Sequence, residues 1–440
     1  MKQPTNIAKP AFSSANAALA NVLFPTEDAS NGLALPLPAP AGLQIESFED
    51  IDLYCDRRTL VVAMCSGGLD STYLIYRLHE LGFSNIHIVV VDVGGEIDMV
   101  TLEKLATKYN ATFQCLPGRK PFVDNVEKAI RAHAMPYDLY PVSSSLSRPV
   151  IAGLITDYAK KVGAGLLLHT ANLSQNSLPR LNQSIQRNGF RGPFGSPYVK
   201  STISRDNKAL ELVDAGFPNM AGRKLSGDEN LWCREFENGS ADDPEKFSVP
   251  EDVWEWTRDG ETHSPEKITL GFEDGLPVTV NGERRSMLDM IPLLNRMVGK
   301  FGHGRSVGLE AIITGEKVLE LREAPAATII MNARRHLETA VLSTETLRQK
   351  RGLEEQWVDE AIAGRWESKV HQMCEAAIAA VSMGVSGTVT YDINHTRMFP
   401  CSFAAVRPLY IRDRDMWEDE AALKSGAKTA DFIRFLKTMS

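Results

Sequence analysis

The stretch Ser66-Gly67-Gly68-Leu69-Asp70-Ser71-Thr72 is where residue types and spacing most directly imply chemistry. Two adjacent glycines let a backbone turn sharply and bring successive N–H groups onto one anion. A helix starting there adds the positive end of its dipole, and Ser66, Ser71 and Thr72 add hydroxyl donors. The combination suits a pyrophosphate group. No Gly-Lys-Ser/Thr follows the glycines, which excludes a Walker A loop, and the absence of G-x-G-x-x-G excludes a dinucleotide fingerprint. The plainer alternative is a strand-to-helix turn with Asp70 or Ser71 as its N-cap. An apolar run before the glycines and helical periodicity after them favour the phosphate reading.

The S-G-G-x-D-S pattern resembles that of the PP-loop ATP pyrophosphatases, which cleave ATP between its α and β phosphates and pass AMP to a substrate oxygen. Within that group, the chain from about Leu60 to Ser402 resembles argininosuccinate synthase. Five stretches carry the likeness in order: Ser66-Gly67-Gly68-Leu69-Asp70; Ser145-Leu146-Ser147-Arg148-Pro149, where the family has S-L-A-R-P; Ser226-Gly227-Asp228-Glu229-Asn230-Leu231 with Glu237-x-Gly239; Gly299-Lys300-x-Gly302-x-Gly304-Arg305; and Glu323-x-Pro325. The resemblance implies a two-step ligation using ATP and Mg²⁺. A ureido oxygen of citrulline is adenylated with release of pyrophosphate, and the amine of aspartate then displaces AMP.

Carried over position by position, the resemblance implies ATP-binding roles for Ser66, Gly67, Gly68, Leu69, Asp70, Ser71, Thr72, Val91, Arg148 and His169. Asp70, Arg148 and Asn176 are the implied catalytic residues. Tyr137, Ser145, Asn172, Asn176, Ser177 and Arg180 fall at substrate positions, as do Ser226, Glu235, Glu310 and Arg322. It also implies small, amino-acid-type substrates and a homotetramer held by the second domain and a C-terminal helix.

The substrate positions depart from the family pattern. Its aspartate loop reads H-G-A-T-G-K-G-N-D-Q-x-R, whereas this chain has His169-Thr170-Ala171-Asn172-Leu173-Ser174-Gln175-Asn176-Ser177-Leu178-Pro179-Arg180. Three glycines have become Thr170, Leu173 and Gln175, so a substrate that packs on bare backbone cannot approach in the same way. A Thr is replaced by Asn172 and an Asp by Ser177; elsewhere Pro136 (with Tyr137 alongside) and Arg322 replace tyrosines, and Glu235 a serine. Glu235 and Arg322 are expected either to pair with each other or to clamp a differently charged head group. The expectation is an adenylating half retained beside a retuned acceptor and donor. Three readings compete with it: an authentic argininosuccinate synthase with an unusual loop, a PP-loop enzyme acting on tRNA, and a nucleotide-binding regulator without turnover.

The elements that must position these residues are legible as a rhythm. Thr59–Met64, Ile86–Val91, Thr112–Leu116 and Gly165–His169 read as short buried strands. Leu69–Leu81, a segment around Leu102–Ala106, Phe122–Ala134 and Pro149–Val162 read as the helices between them. Such alternation predicts a doubly wound parallel α/β domain over residues 57–222. Residues 223–405 read as α+β, with a hairpin at Glu273-Asp274-Gly275 and helices over Met287–Val298, Ala326–Leu342, Glu354–Ile362 and Val370–Ser382. Residues 1–56, rich in Ala, Ser, Asn and Pro, read as a flexible arm, and 406–440 as a charged tail with a helix over Thr429–Thr438.

A net charge of −8 and a pI near 5.7 argue against a nucleic-acid partner. No apolar stretch is long enough to span a bilayer and no secretory signal is visible, so a cytoplasmic protein without a membrane partner is expected. The six cysteines lack metal-ligand spacing and read as buried free thiols, and no metal site of the protein's own is expected.

Overall fold

The computed structural model describes residues 41–218, 226–237, 239, 243–258, 262–312, 314–425 and 436–439. Its first half is built on six strands: β1 (Gln44–Ile45), β2 (Val61–Met64), β3 (Ile86–Asp92), β4 (Thr112–Pro117), β5 (Leu166–Leu168) and β6 (Phe194–Gly195). All pair in parallel, in the order β1-β6-β5-β2-β3-β4. Seven helices accompany them: α1 (Phe48–Tyr54), α2 (Leu69–Glu80), α3 (Met99–Lys108), α4 (Arg119–Arg131), α5 (Ser144–Val162), α6 (Ser177–Arg187) and α7 (Arg205–Asp214).

Alternate strand residues enter different cores, as the pleat requires. Val61, Ala63, Ile88 and Val90 pack with Phe48 of α1, Leu74 of α2, Leu105 of α3 and Leu212 of α7. Val62, Met64, Val89 and Val91 pack with Val126 of α4, Ile155 of α5 and Ile185 of α6. Burial on both faces explains the continuous apolar runs read from the sequence. The chain winds outward from β2 to β4 and then returns to place β5 on the other side of β2. The loops after β2 and β5 therefore diverge at their carboxyl ends, the switch point at which open α/β sheets bind ligands.

The second half contains β7 (Ser226–Glu229), β8 (Arg234–Glu237), β9 (Glu266–Glu273), β10 (Leu276–Val280), β11 (Glu283–Arg284), α8 (Met287–Gly299), β12 (Arg305–Ala311) and β13 (Lys317–Glu323). It continues through α9 (Pro325–Val341), α10 (Thr344–Ile362), α11 (Lys369–Ser382), β14 (Gly387–Asn394), β15 (Arg397–Ala405) and α12 (Arg414–Ser425). Two antiparallel sheets result, ordered β12-β13-β8-β7 and β11-β10-β9-β14-β15. One continuous apolar cluster joins the halves, running from α4 and α5 through Trp232 to α8, α9 and α11.

Three sequence expectations need correction. Residues 44–54, assigned to a flexible arm, form β1 and α1: Ser47 caps α1 by accepting from the Asp50 amide, and Phe48 and Ile51 are buried. Residues 1–40 of that arm lie outside the described residues, as do the expected boundary near 222 and most of the helix expected over Thr429–Thr438. Helix α5 begins at Ser144 rather than Pro149, which it carries in its interior. Proline there leaves the carbonyl of residue i−4, Ser145, without its helical donor, and Trp366 Nε1 donates to that oxygen at 2.9 Å. The cysteines are all free; Cys115 is half-buried and Cys401 exposed, the other four buried.

Candidate active site

A cavity of about 830 Å³ opens at the carboxyl ends of β2, β3 and β5 and is roofed by the β7–β8–β13–β12 sheet. On its floor, Gly67 adopts φ 75°, the left-handed region that favours glycine. Gly68 is the N-cap of α2, and no side chain caps it. This departs from the plain-turn alternative, in which Asp70 or Ser71 would cap. The first-turn amides of α2 are thus left to whatever enters the cavity. Ser71 Oγ donates to the Gly68 carbonyl at 3.2 Å, and Ser66 Oγ lies 3.5 Å from Ser71 Oγ and accepts from Gly68 N at 3.4 Å. Ser66, Gly67, Gly68, Leu69, Asp70, Ser71 and Val91 all line the cavity. Thr72 does not: it is fully buried behind the turn, and its hydroxyl has no hydrogen-bond partner.

Asp70, at the second position of α2, accepts from Lys208 Nζ of α7 at 2.8 Å. His169 follows β5, lines the cavity and is buried. Its Nδ1 accepts from Ala171 N at 3.3 Å, which places the proton on Nε2, 2.8 Å from Asn182 Oδ1. Burial holds its pKa down to about 4, so the ring is a neutral prop for the β5–α6 loop. Arg148 donates to Ser177 Oγ at 3.1 Å and straddles the Asp228 carboxylate at 3.2 and 3.3 Å. Burial nevertheless raises the Asp228 pKa above the usual range, with Arg148 opposing the shift.

The opposite end of the cavity is a closed ionic lattice. Glu310 Oε1 accepts from Arg180 Nη2 at 2.7 Å and from Asn176 Nδ2 at 2.9 Å, and its Oε2 accepts from Arg322 Nη2 at 3.2 Å. These cations overcome its desolvation and hold its pKa down to about 2. The remaining Arg180 donors go to Ser144 Oγ and the Ile362 carbonyl, at 2.9 and 2.8 Å. Glu235 accepts from Arg322 Nε at 2.9 Å and from Ser144 N at 3.2 Å. Arg322 and Glu235 stand directly opposite each other on β13 and β8, and Arg322 stacks 4.0 Å from the Tyr140 ring centre. Of the two outcomes expected for this pair, the structure shows mutual pairing.

Several expected substrate residues lie away from the cavity. Tyr137 is 80% exposed on a turn at φ 53°, and Ser145, in the first turn of α5, is buried away from the cavity, with Ser144 taking its place at the wall. Arg322 sits behind Glu235 and Glu310. Asn172 accepts from Ser174 N at 3.1 Å and Ser174 Oγ at 2.8 Å, which holds the loop's own turn. Ser226 is placed on β7, and its side chain is outside the described residues. Conversely, Gln175, Glu237 and Glu320 line the cavity without having been singled out as site residues. Gln175 Nε2 donates to Glu237 Oε1 at 2.7 Å, and burial raises the pKa of both Glu237 and Glu320. Strand alternation was the available signal for Glu320, since Val318 and Glu320 share one face of β13 with Arg322.

An anion-ready turn at the switch point of a parallel sheet, with titratable side chains facing it from a second domain, defines an ATP-using enzyme of the PP-loop class. Residues 60–208 match the model of the argininosuccinate synthase N-terminal HUP domain, and residues 225–433 that of the C-terminal domain. The argininosuccinate synthase of Sulfolobus acidocaldarius is 33% identical over 341 residues, covering 77% of this chain and 87% of that protein. That of Archaeoglobus fulgidus is 34% identical, covering 75% and 85%, and that of Pyrococcus furiosus 33%, covering 76% and 82%. The chain belongs to the argininosuccinate synthase family, a family of ATP-dependent ligases.

Proposed function

We propose that the chain is an AMP-forming carbon–nitrogen ligase that adenylates a ureido or amide oxygen, of citrulline or a citrulline-like compound, and couples it to an amine other than aspartate. The contrast between the two ends of the cavity carries this reading. At one end the α2 amides are uncapped and open. At the other, Arg180, Glu310, Arg322 and Glu235 pair with one another, while Asn172 and Gln175 of the altered loop are tied to Ser174 and Glu237.

In the first step the acceptor oxygen attacks the α-phosphorus. The bond to the bridging oxygen breaks, and pyrophosphate leaves while the α2 amides hold its negative charge. In the second step the amine lone pair adds to the activated carbon, a proton leaves the nitrogen, and AMP departs with the C–O bonding electrons. A bare urea carbon is a poor electrophile, which is why the oxygen must first be made a leaving group. Mg²⁺ screens phosphate charge in such chemistry. An ion carried by the nucleotide would be held by the phosphates and by one or two of the carboxylates that line the cavity, among them Asp228, Glu237 and Glu320.

The test is ATP–pyrophosphate exchange across a panel of ureido and amide compounds, followed by an amine panel for each compound that exchanges. Exchange with at least one acceptor, and product with an amine other than aspartate, is the expected result. Rapid argininosuccinate formation from citrulline and aspartate would replace this reading with the authentic synthase, and absence of AMP formation throughout would refute it.

A further inference from the structure

We propose that Lys208 is a positioning residue for the phosphate turn: it neutralises Asp70 at the edge of the anion cradle, so that the nucleotide meets no opposing charge there. The inference rests on the ATP-binding reading above and concerns a residue in none of the stretches that carry the family likeness.

Lys208 is only 7% exposed, yet it lies near the start of α7, where the helix dipole disfavours a cation. A buried apolar residue would suit α7 at least as well, because desolvating an ammonium is expensive. Its surroundings explain its presence. Nζ donates to Asp70 Oδ1 at 2.8 Å and sits 4.1 Å from the centre of the Tyr198 ring, a cation–π contact. The Tyr198 hydroxyl donates to the Asp70 carbonyl at 2.8 Å. One aromatic ring thus seats the ammonium and anchors the backbone of the residue that the ammonium neutralises. Burial and the Asp70 charge raise the Tyr198 pKa, so the phenol keeps the proton that it donates. Asp70 itself lines the cavity, one residue after the first helical position of α2. Left unpaired, its carboxylate would oppose the charge of a bound triphosphate. Arg205, one turn earlier on α7, also lines the cavity.

Calorimetric titration of the full-length chain with Mg·ATP tests the proposal, with wild type, K208M, K208R, D70N and the K208M/D70N pair. K208M is expected to weaken binding about tenfold or more, equivalent to ~1.4 kcal/mol, and K208R to bind within about threefold of wild type; D70N is the reference for the double variant. The double variant, in which neither charge stands alone, should bind within about threefold of D70N. A purely structural lysine would lower Tm without moving the affinities in this pattern. Wild-type affinity in K208M, or a double variant that binds clearly more weakly than D70N, overturns the proposal while leaving the ATP reading intact. Wild type that binds no Mg·ATP overturns both. If K208M is too unstable to titrate, the double variant against D70N decides: equal affinity supports neutralisation, and a further loss refutes it.

Discussion

Replacing Arg322 by Met keeps most of the side-chain volume and removes the cation at the centre of the lattice. Three carboxylates depend on that guanidinium to different degrees: Glu235 at 2.9 Å, Glu310 at 3.2 Å and Glu320 at 3.6 Å. Glu310 would keep Arg180 and Asn176, and Glu235 would keep the Ser144 amide. Glu320 would lose the one cation within ion-pair distance among the described residues. Breaking a buried pair by removing one partner costs about 3–5 kcal/mol. Since two of the three acids retain a partner, the lower end, about 3 kcal/mol at neutral pH, is expected. The sign with pH follows from linkage. An orphaned buried acid has a folded-state pKa above its unfolded value, so protonation restores stability at low pH, and the deficit grows as pH rises through the raised pKa. For a single site the slope approaches ~1.4 kcal/mol per pH unit. Urea unfolding of R322M and wild type at pH 5.5 and 7.5 measures both quantities. Equal stability at pH 7.5, or a deficit that widens on acidification, would show that the lattice is not held as described.

Two further outcomes follow from positions outside the lattice. A Cβ built on Gly95 would sit 2.1 Å from the Glu229 carbonyl oxygen and 2.6 Å from its carbon. Gly95→Ala should therefore push the β3–α3 loop off β7, destabilise by about 1–3 kcal/mol and weaken nucleotide binding, because residues 95–100 line the cavity; thermal unfolding and the KM for ATP check it. For His169, burial depresses the folded pKa from 6.5 to about 4. Its contribution is present above pH 6.5 and lost as pH falls towards 4, up to ~3 kcal/mol in all. His169→Gln should accordingly flatten the stability profile in that window, and an unchanged slope in urea midpoints would refute the assignment.

The parallel domain was legible because burial on both faces of a sheet writes itself as short apolar runs such as Val61–Met64 and Leu166–Leu168. The phosphate turn was legible because it depends on backbone, and two glycines between a strand and a helix admit few other uses. Residues 44–54 were misread because a two-residue strand and a seven-residue helix are too short for periodicity to register. The start of α5 was misread because proline normally marks a first turn; the compensating donor, Trp366, is 221 residues away in sequence and invisible locally. Lys208 escaped for a similar reason. Its partner Asp70 is 138 residues distant, and no local pattern links α7 to the turn.

The two ends of the cavity differ in how they can change. Phosphate recognition through main-chain amides survives almost any side-chain substitution that leaves the turn intact, so that end constrains few residues. At the other end recognition is written in buried charges, and each carries a desolvation penalty that only its partner offsets. Glu235 and Arg322 face each other across β8 and β13, so Glu235 without Arg322 would lose its cation and keep the Ser144 amide, while Arg322 without Glu235 would still face Glu310 and Glu320. The acid depends on its partner more than the base does. Together the two residues neutralise each other, Arg322 joins Arg180 on the two oxygens of Glu310, and Glu235 and Glu310 share the cavity wall with Glu237, Glu320 and Asp228. A ligase that keeps its nucleotide chemistry while changing what it joins has, in this fold, a physically separate region in which to do so.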